Sequence, residues 1–410
     1  MNKKSKVDNK GRHLGENITY DRNRKRYRYS YKDASGEFRS IYSTSLDKLM
    51  DRINNIDSML KDGMNCYEVE KTTVNDVFDR YLSSKVNLRS TTMSNYTYMY
   101  DKFIRPSFGK KKIAKIVFSD ILLFYKGLLS KMSVNTVEVV NTILRPTFQF
   151  ALRDNLIRNN PVDGALSELK KTSKFVTEDR KALSQAEQKM FFSLLEDPRS
   201  KRWENLFIVL FGTGCRVGEF TALTWNDIDF ENRIITIDHN LTYRPRVENH
   251  NKCEYHITET KTKAGMRTIP MIDRVYQALM DEKIYQETTG LKCDSVIDGY
   301  EGFIFFNRFK SVHNQSSINA VIKRLICKYN ASEELKAKRE KRNPIFIPPF
   351  SCHIARHTFC TRLYENGVDI KTIQSVMGHK DIGTTLDIYA EISESKKKEV
   401  FTTLDDNFVV

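Results

Sequence analysis

His353-Ile354-Ala355-Arg356-His357-Thr358-Phe359 is the stretch on which the reading of this chain turns. It follows Pro348-Pro349, where one element must stop and another can begin. Ile354, Phe359 and Leu363 recur at helical spacing, so the segment is predicted to open a helix with those residues facing the core. His353 and Arg356 stand three apart and share one face. A guanidinium and an imidazole placed in this way suit a phosphodiester, because the first grips two nonbridging oxygens while the second accepts a proton. His357 lies near the same face, and a structural histidine is the favoured reading there.

Downstream, Val376-Met377-Gly378-His379-Lys380-Asp381 has a glycine closing a helix and a histidine directly after it. Ten residues further stands Tyr389, within Thr384-Thr385-Leu386-Asp387-Ile388-Tyr389-Ala390. Nineteen tyrosines are present, so residue type alone does not single it out. Upstream, residues 260–270 (TKTKAGMRTIP) are predicted to form a hairpin with Ala264-Gly265 at its tip. Lys261 and Lys263 are two apart and share a strand face. A lysine there can reach a DNA groove and protonate a leaving oxygen; taken alone, the pair equally suits a solubilised hairpin. Further upstream, residues 212–219 (GTGCRVGE) form a glycine-rich turn into a helix, with Arg216 close to its N-terminus. No strand is predicted to lead into that turn and G-x-G-x-x-G is incomplete, which excludes a dinucleotide fingerprint. By itself Arg-Val-Gly-Glu reads as a surface salt bridge. No single stretch carries a function. The ordered company of Arg216, Lys261, His353, Arg356, His379 and Tyr389 does.

The composition agrees with a polyanionic partner. Sixty-seven Lys and Arg against 52 Asp and Glu leave a formal charge of +15 over 410 residues. The 40% apolar and 11% aromatic content describes a folded protein rather than a basic tail. The longest clean apolar run, Leu206–Phe211, is far short of the roughly 20 residues that span a bilayer, so no membrane partner is expected. The N-terminus is basic without an apolar core, which argues against a secretory signal. Seven cysteines (Cys66, Cys215, Cys253, Cys293, Cys327, Cys352 and Cys360) form no C-x-x-C pair and read as reduced thiols of a cytoplasmic protein, with neither a zinc site nor a disulfide frame.

Charge and periodicity divide the chain. Residues 1–40 hold twelve Lys/Arg against five Asp/Glu. Within them Arg26–Lys32 alternates as a strand, with Tyr27, Tyr29 and Tyr31 on one face and Arg26, Arg28 and Lys32 on the other. Asp33–Gly36 is a turn, Phe38–Tyr42 a returning strand, and Leu46, Leu49, Ile53, Ile56 and Leu60 mark a helix. This module, residues 1–64, is read as contacting DNA through its basic face. Residues 72–165 are predicted to be wholly helical, beginning at a capping box at Thr73. Helices are expected over 89–103, 119–129 and 134–152, the last kinked at Pro146. Lys110-Lys111-Lys112 is either a phosphate contact or a solvated loop. Residues 166–182 lack periodicity and are read as a linker. A second capping box at Ser184 opens a mixed domain over 183–400, followed by a tail at 401–410.

The ordered set of six residues, spread over about 184–400, resembles the tyrosine recombinases, also called the phage integrase family. Together with the N-terminal sheet it is most similar to integrases of Gram-positive conjugative transposons. The resemblance implies a multidomain α+β chain: a small N-terminal three-stranded sheet with one helix, an all-helical core-binding domain, and a mainly helical catalytic domain with a small antiparallel sheet. It implies a site-specific recombinase that breaks and rejoins DNA through a 3′-phosphotyrosyl intermediate. Tyr389 would be the nucleophile, His353 its base, Lys261 the acid for the 5′ oxygen (Lys263 remains the alternative on spacing), Arg216 and Arg356 the phosphate clamp, and His379 a further donor. Glu219 would support the arginine turn. No metal or other cofactor is expected. The implied partners are double-stranded DNA at core and arm sites, three further copies of the chain in a tetramer on DNA, and an accessory DNA-bending or excision factor. The same chemistry would serve a type IB topoisomerase, against which the N-terminal module argues. A non-catalytic DNA-binding regulator would have no need of the complete residue set.

Overall fold

The computed structural model describes residues 7–33, 36–85, 90–172, 182–245, 253–260, 265–379, 381 and 383. Two compact units divide at residues 177 and 178.

In the first unit, β1 (Ile18–Asp21), β2 (Arg26–Lys32) and β3 (Phe38–Ser43) form an antiparallel sheet in that order. The alternation of β2 sorts its side chains as predicted. Tyr27 and Tyr31 are buried with Ile18 and Ile41 against Leu49, Ile53 and Ile56 of α1 (Leu46–Lys61). On the open face Arg28 stands opposite Tyr42 and Lys32 opposite Phe38. Arg26 lies over the Tyr42 ring at 4.3 Å and Lys32 over Phe38 at 5.1 Å, while Phe38 itself is 77% exposed. This is a basic, aromatic surface with no apolar cover among the described residues.

A short helix not anticipated from the sequence, α2 (Cys66–Lys71), leads into α3 (Val74–Ser83), α4 (Ser90–Phe103), α5 (Phe118–Leu129) and α6 (Val134–Arg153). Thr73 and Asp76 close the expected capping box. Phe78 stacks on Tyr100, whose hydroxyl donates to Asn75 at 2.9 Å. α6 runs on through Pro146. One local expectation is corrected. The stretch read as a linker from residue 166 begins as α7 (Ala165–Thr172), because Ala165 and Leu169 have a helical core to bury against. Of the three lysines at 110–112, Lys111 pairs with Asp120 at 3.1 Å and Lys112 donates to the Lys71 carbonyl, so two of them are engaged within the protein.

The second unit opens with α8 (Gln185–Ser193), capped by Ser184 and Glu187. Then comes α9 (Glu204–Thr213), buried at Leu206, Phe207, Val209, Leu210 and Phe211, which explains its unbroken apolar sequence. Around it pack α11 (Asp273–Thr289) and α13 (Cys352–Glu365), with α12 (Gln315–Glu340) adding Ile318, Ile322 and Leu325 to the same core. A short helix, α10 (Val217–Ala222), and a later one, α14 (Ile370–Met377), complete the site region.

The strands form two sheets rather than one. β4 (Ile228–Asp229), β5 (Ile234–Ile237) and β8 (Arg267–Pro270) make the first, and β6 (His239–Pro245) with β7 (Cys253–Glu259) the second. The hairpin expected over 260–270 is therefore corrected. Its flanking strands pair with β6 and β5, not with each other. Ile235 and Ile269, both buried, fix the β5–β8 register.

Candidate active site

The site is built on the last turn of α14. A helix leaves its final carbonyls without intrahelical donors, and here three consecutive ones are met by guanidinium groups from three other elements. Arg267 Nε donates to the Val376 carbonyl at 2.6 Å, Arg356 Nη2 to that of Met377, and Arg216 Nη2 to that of Gly378 at 2.9 Å. Gly378 caps the helix with φ 63°, turning the chain so that His379 follows at once, buried beside the cluster. The negative end of a helix dipole favours cations at this place.

Arg356, on α13, is 3% exposed, and its Nη1 donates to the Gly214 carbonyl at 2.7 Å. Gly214 ends α9 in the left-handed region at φ 60°, and a Cβ there would meet the Phe359 ring at 2.3 Å. Glycine is thus required both by the turn and by the close approach of α13. Arg216 keeps a side chain 41% exposed, so its guanidinium faces solvent as well as the cluster. Glu219 holds it from below: Oε1 accepts from Arg216 Nη1 at 2.7 Å, and Oε2 accepts from the Arg216 backbone N–H at 2.9 Å and from Arg267 Nη2 at 2.8 Å.

The electrostatics follow from burial and crowding. Burial, joined by the positive charges of Arg216 and Arg267, pushes Arg356 down to about 10, still protonated at neutral pH. Burial also lowers His379, with Arg356, Arg216, His357 and Arg267 adding to the effect, to about 4. Burial alone would raise Glu219, but the hydrogen bond and charge of Arg267 and the charge of Arg216 outweigh it and hold the carboxyl below its ordinary value. His353, at the exposed start of α13, has its ring 4.7 Å from that of His357.

Of the six residues expected from sequence, Arg216, Arg356 and His379 are brought together. His353 lies one turn before His357 on α13, and the charge of His357 is felt by His379. Lys261 and Tyr389, like the alternative Lys263, lie outside the described residues. Sequence reasoning missed Arg267, whose side chain is 4% exposed. A signal existed: Arg267 shares a strand face with Ile269, so a cation pointed into the core and required partners.

The Phage integrase family model matches residues 181–396, which contain this whole cluster, and a second model, the N-terminal SAM-like domain of phage integrases, matches residues 73–129. The chain belongs to the phage integrase family. It is a site-specific tyrosine recombinase that cuts and rejoins DNA through a 3′-phosphotyrosyl intermediate and so integrates and excises a mobile element. The transposase of transposon Tn1545 from Streptococcus agalactiae is 31% identical over 405 residues, covering 93% of this recombinase and 92% of the relative. The transposase of Tn916 from Enterococcus faecalis matches to the same extent. Among solved structures, the integrase of transposon Tn1549 in complex with a circular-intermediate DNA is 28% identical. It covers 82% of this recombinase and 100% of that chain, with a TM-score of 0.68. A lambda integrase tetramer bound to a Holliday junction shares the fold at 17% identity and a TM-score of 0.51, over 92% of this chain and 95% of the other. No helix among the described residues is long and apolar enough to cross a membrane.

Proposed function

We propose that this recombinase opens DNA with Tyr389. The phenolic oxygen attacks the scissile phosphorus and gives up its proton to His353. The P–O bond to the 5′ oxygen breaks, and Lys261 protonates that oxygen, leaving a 5′-hydroxyl and a 3′-phosphotyrosyl link. Arg216 and Arg356 hold the nonbridging oxygens as negative charge builds on the pentavalent phosphorus. His379 acts as a neutral imidazole, donating one N–H to the phosphate. The observation that carries this reading is the convergence of Arg216, Arg356 and His379, drawn from three separate stretches of chain, on the end of one short helix.

The reading extends to the rest of the molecule. Residues 1–64 bind arm sites through Arg26, Arg28 and Lys32. Residues 72–165 and 183–400 grip the core site, and 166–182 connect them. Four chains assemble on two DNA duplexes in the cytoplasm, helped by an accessory bending or excision factor. The relatives found with DNA and as a tetramer support it.

The test is incubation of the full chain with nicked DNA carrying the element's ends, resolved on a denaturing gel. The wild-type chain is expected to form a protein–DNA conjugate. Tyr389→Phe should bind the same DNA with unchanged affinity and form none. A conjugate persisting in that variant moves the nucleophile to another residue.

A further inference from the structure

We infer that Arg267 is a positioning residue of the cleavage site, tying the segment after residues 261–264 to the carboxylate behind Arg216 and to the helix end that delivers His379. The inference rests on the residue roles proposed above. From the first position of β8, its guanidinium makes three contacts in three directions. Nη1 donates to the Gly265 carbonyl at 3.1 Å, Nη2 to Glu219 Oε2 at 2.8 Å, and Nε to the Val376 carbonyl at 2.6 Å. Gly265 is close to Thr260, since a Cβ there would come within 2.8 Å of the Thr260 Cβ. Both ends of the segment bearing Lys261 are thus near the anchored carbonyl.

The order of the carbonyls gives Arg267 its leverage. Val376, Met377 and Gly378 bind Arg267, Arg356 and Arg216 in turn. Arg267 is the buried member of the set that also grips Glu219, and Glu219 in turn grips Arg216. Removing it releases the Val376 carbonyl and one of the two guanidiniums on Glu219 together. Arg216 and the α14 terminus then lose their common reference. A phosphate clamp is sensitive to such loosening, because a displacement of about 1 Å far from the reacting atoms can lower a rate by about 10²-fold. A buried ion pair is weak support for a purely stabilising role, since apolar residues of similar volume serve stability as well. One cation with three directed contacts to three site elements serves alignment.

The experiment compares wild type, Arg267→Met and Arg267→Lys in the full chain. It measures single-turnover conjugate formation on nicked element-end DNA across pH, DNA affinity, and thermal melting. Arg267→Met is expected to slow cleavage by about 10²-fold with DNA affinity unchanged. The acidic limb of its rate profile should move to higher pH, because Glu219 keeps only Arg216 to hold it ionised. Arg267→Lys retains the charge but not the planar three-way fork, so it should recover part of the rate and part of the limb shift. Should the methionine variant not fold, the lysine variant decides by the same readings. Wild-type rates with an unmoved pH profile overturn the inference. So does a loss of rate matched by an equal loss of affinity and melting temperature, which marks a structural role. Tyr389→Phe runs alongside: a conjugate in that variant refutes the residue roles, whatever the Arg267 variants show.

Discussion

At neutral pH His379 is uncharged, because burial and the positive charges of Arg356, Arg216 and Arg267 disfavour its protonated form. Its folded value, about 4, lies below the ordinary 6.5, so the unfolded chain binds the proton first as pH falls. Stability from this residue is complete above about pH 6.5 and is lost as pH drops toward 4. His313, buried beside Trp203 and likewise lowered to about 4, draws on the same window. Replacing His379 with Asn should therefore flatten, without abolishing, the decline in urea stability between pH 7 and 4, by on the order of 2–3 kcal/mol. An unaltered decline would mean that His379 titrates normally in the free protein. Arg216, Arg356 and His379 were legible as candidates because their residue types and order match one chemistry. Arg267 was passed over although its signal, a cation on the same strand face as Ile269, was in the sequence; its weight shows once that face of β8 is seen buried against Glu219 and the end of α14.

At the scale of elements, two left-handed glycines set the site. Gly214 ends α9 and offers its carbonyl to Arg356, and Gly378 ends α14 and offers its own to Arg216. Gly214→Ala adds a strained φ and a methyl group 2.3 Å from the Phe359 ring, and should cost about 2–4 kcal/mol in denaturant melts while also slowing cleavage. A neutral outcome would show that α9 and α13 can separate at no cost. Helices with local signals were legible: the capping boxes at Thr73 and Ser184 and the periodic stripe of α1 stand where the sequence places them. The β7–β8 connection was misread because a hairpin is the local solution to two adjacent strands, whereas here β7 turns back onto the preceding β6 and β8 pairs with the more distant β5. The α7 segment was misread because eight residues carry too little periodicity to announce a helix whose apolar side is supplied by neighbours.

At the scale of the whole molecule, the proposed function gives DNA contacts to both the open face of the N-terminal sheet and the cation cluster of the second unit. Deleting residues 1–63 leaves Met64 in the helical core and removes Asp62 and Ser58, which contact Arg158 at 2.6 and 2.7 Å. Exposed pairs of this kind contribute only about 0–1 kcal/mol. Core-site cleavage should therefore survive within a few-fold while arm-site binding is lost, as gel shifts on separate core and arm fragments would show. Equal loss of both would make the module part of the core-binding surface. DNA affinity of the full chain should fall linearly in log–log form with salt, with a slope of several units reflecting released counterions. A flat response would contradict a phosphate-dominated interface. The sequence by itself determined the family, the order of the chemical groups and most helices, because side-chain type, capping and periodicity are properties of neighbours along the chain. Only the tertiary structure decided which carbonyls the three arginines hold, that Arg267 stands behind Glu219, and that His379 is neutral. Hydrogen-bond partners, desolvation and charge crowding arise between distant segments, such as Arg216 and Gly378, 162 residues apart, and no local pattern encodes them.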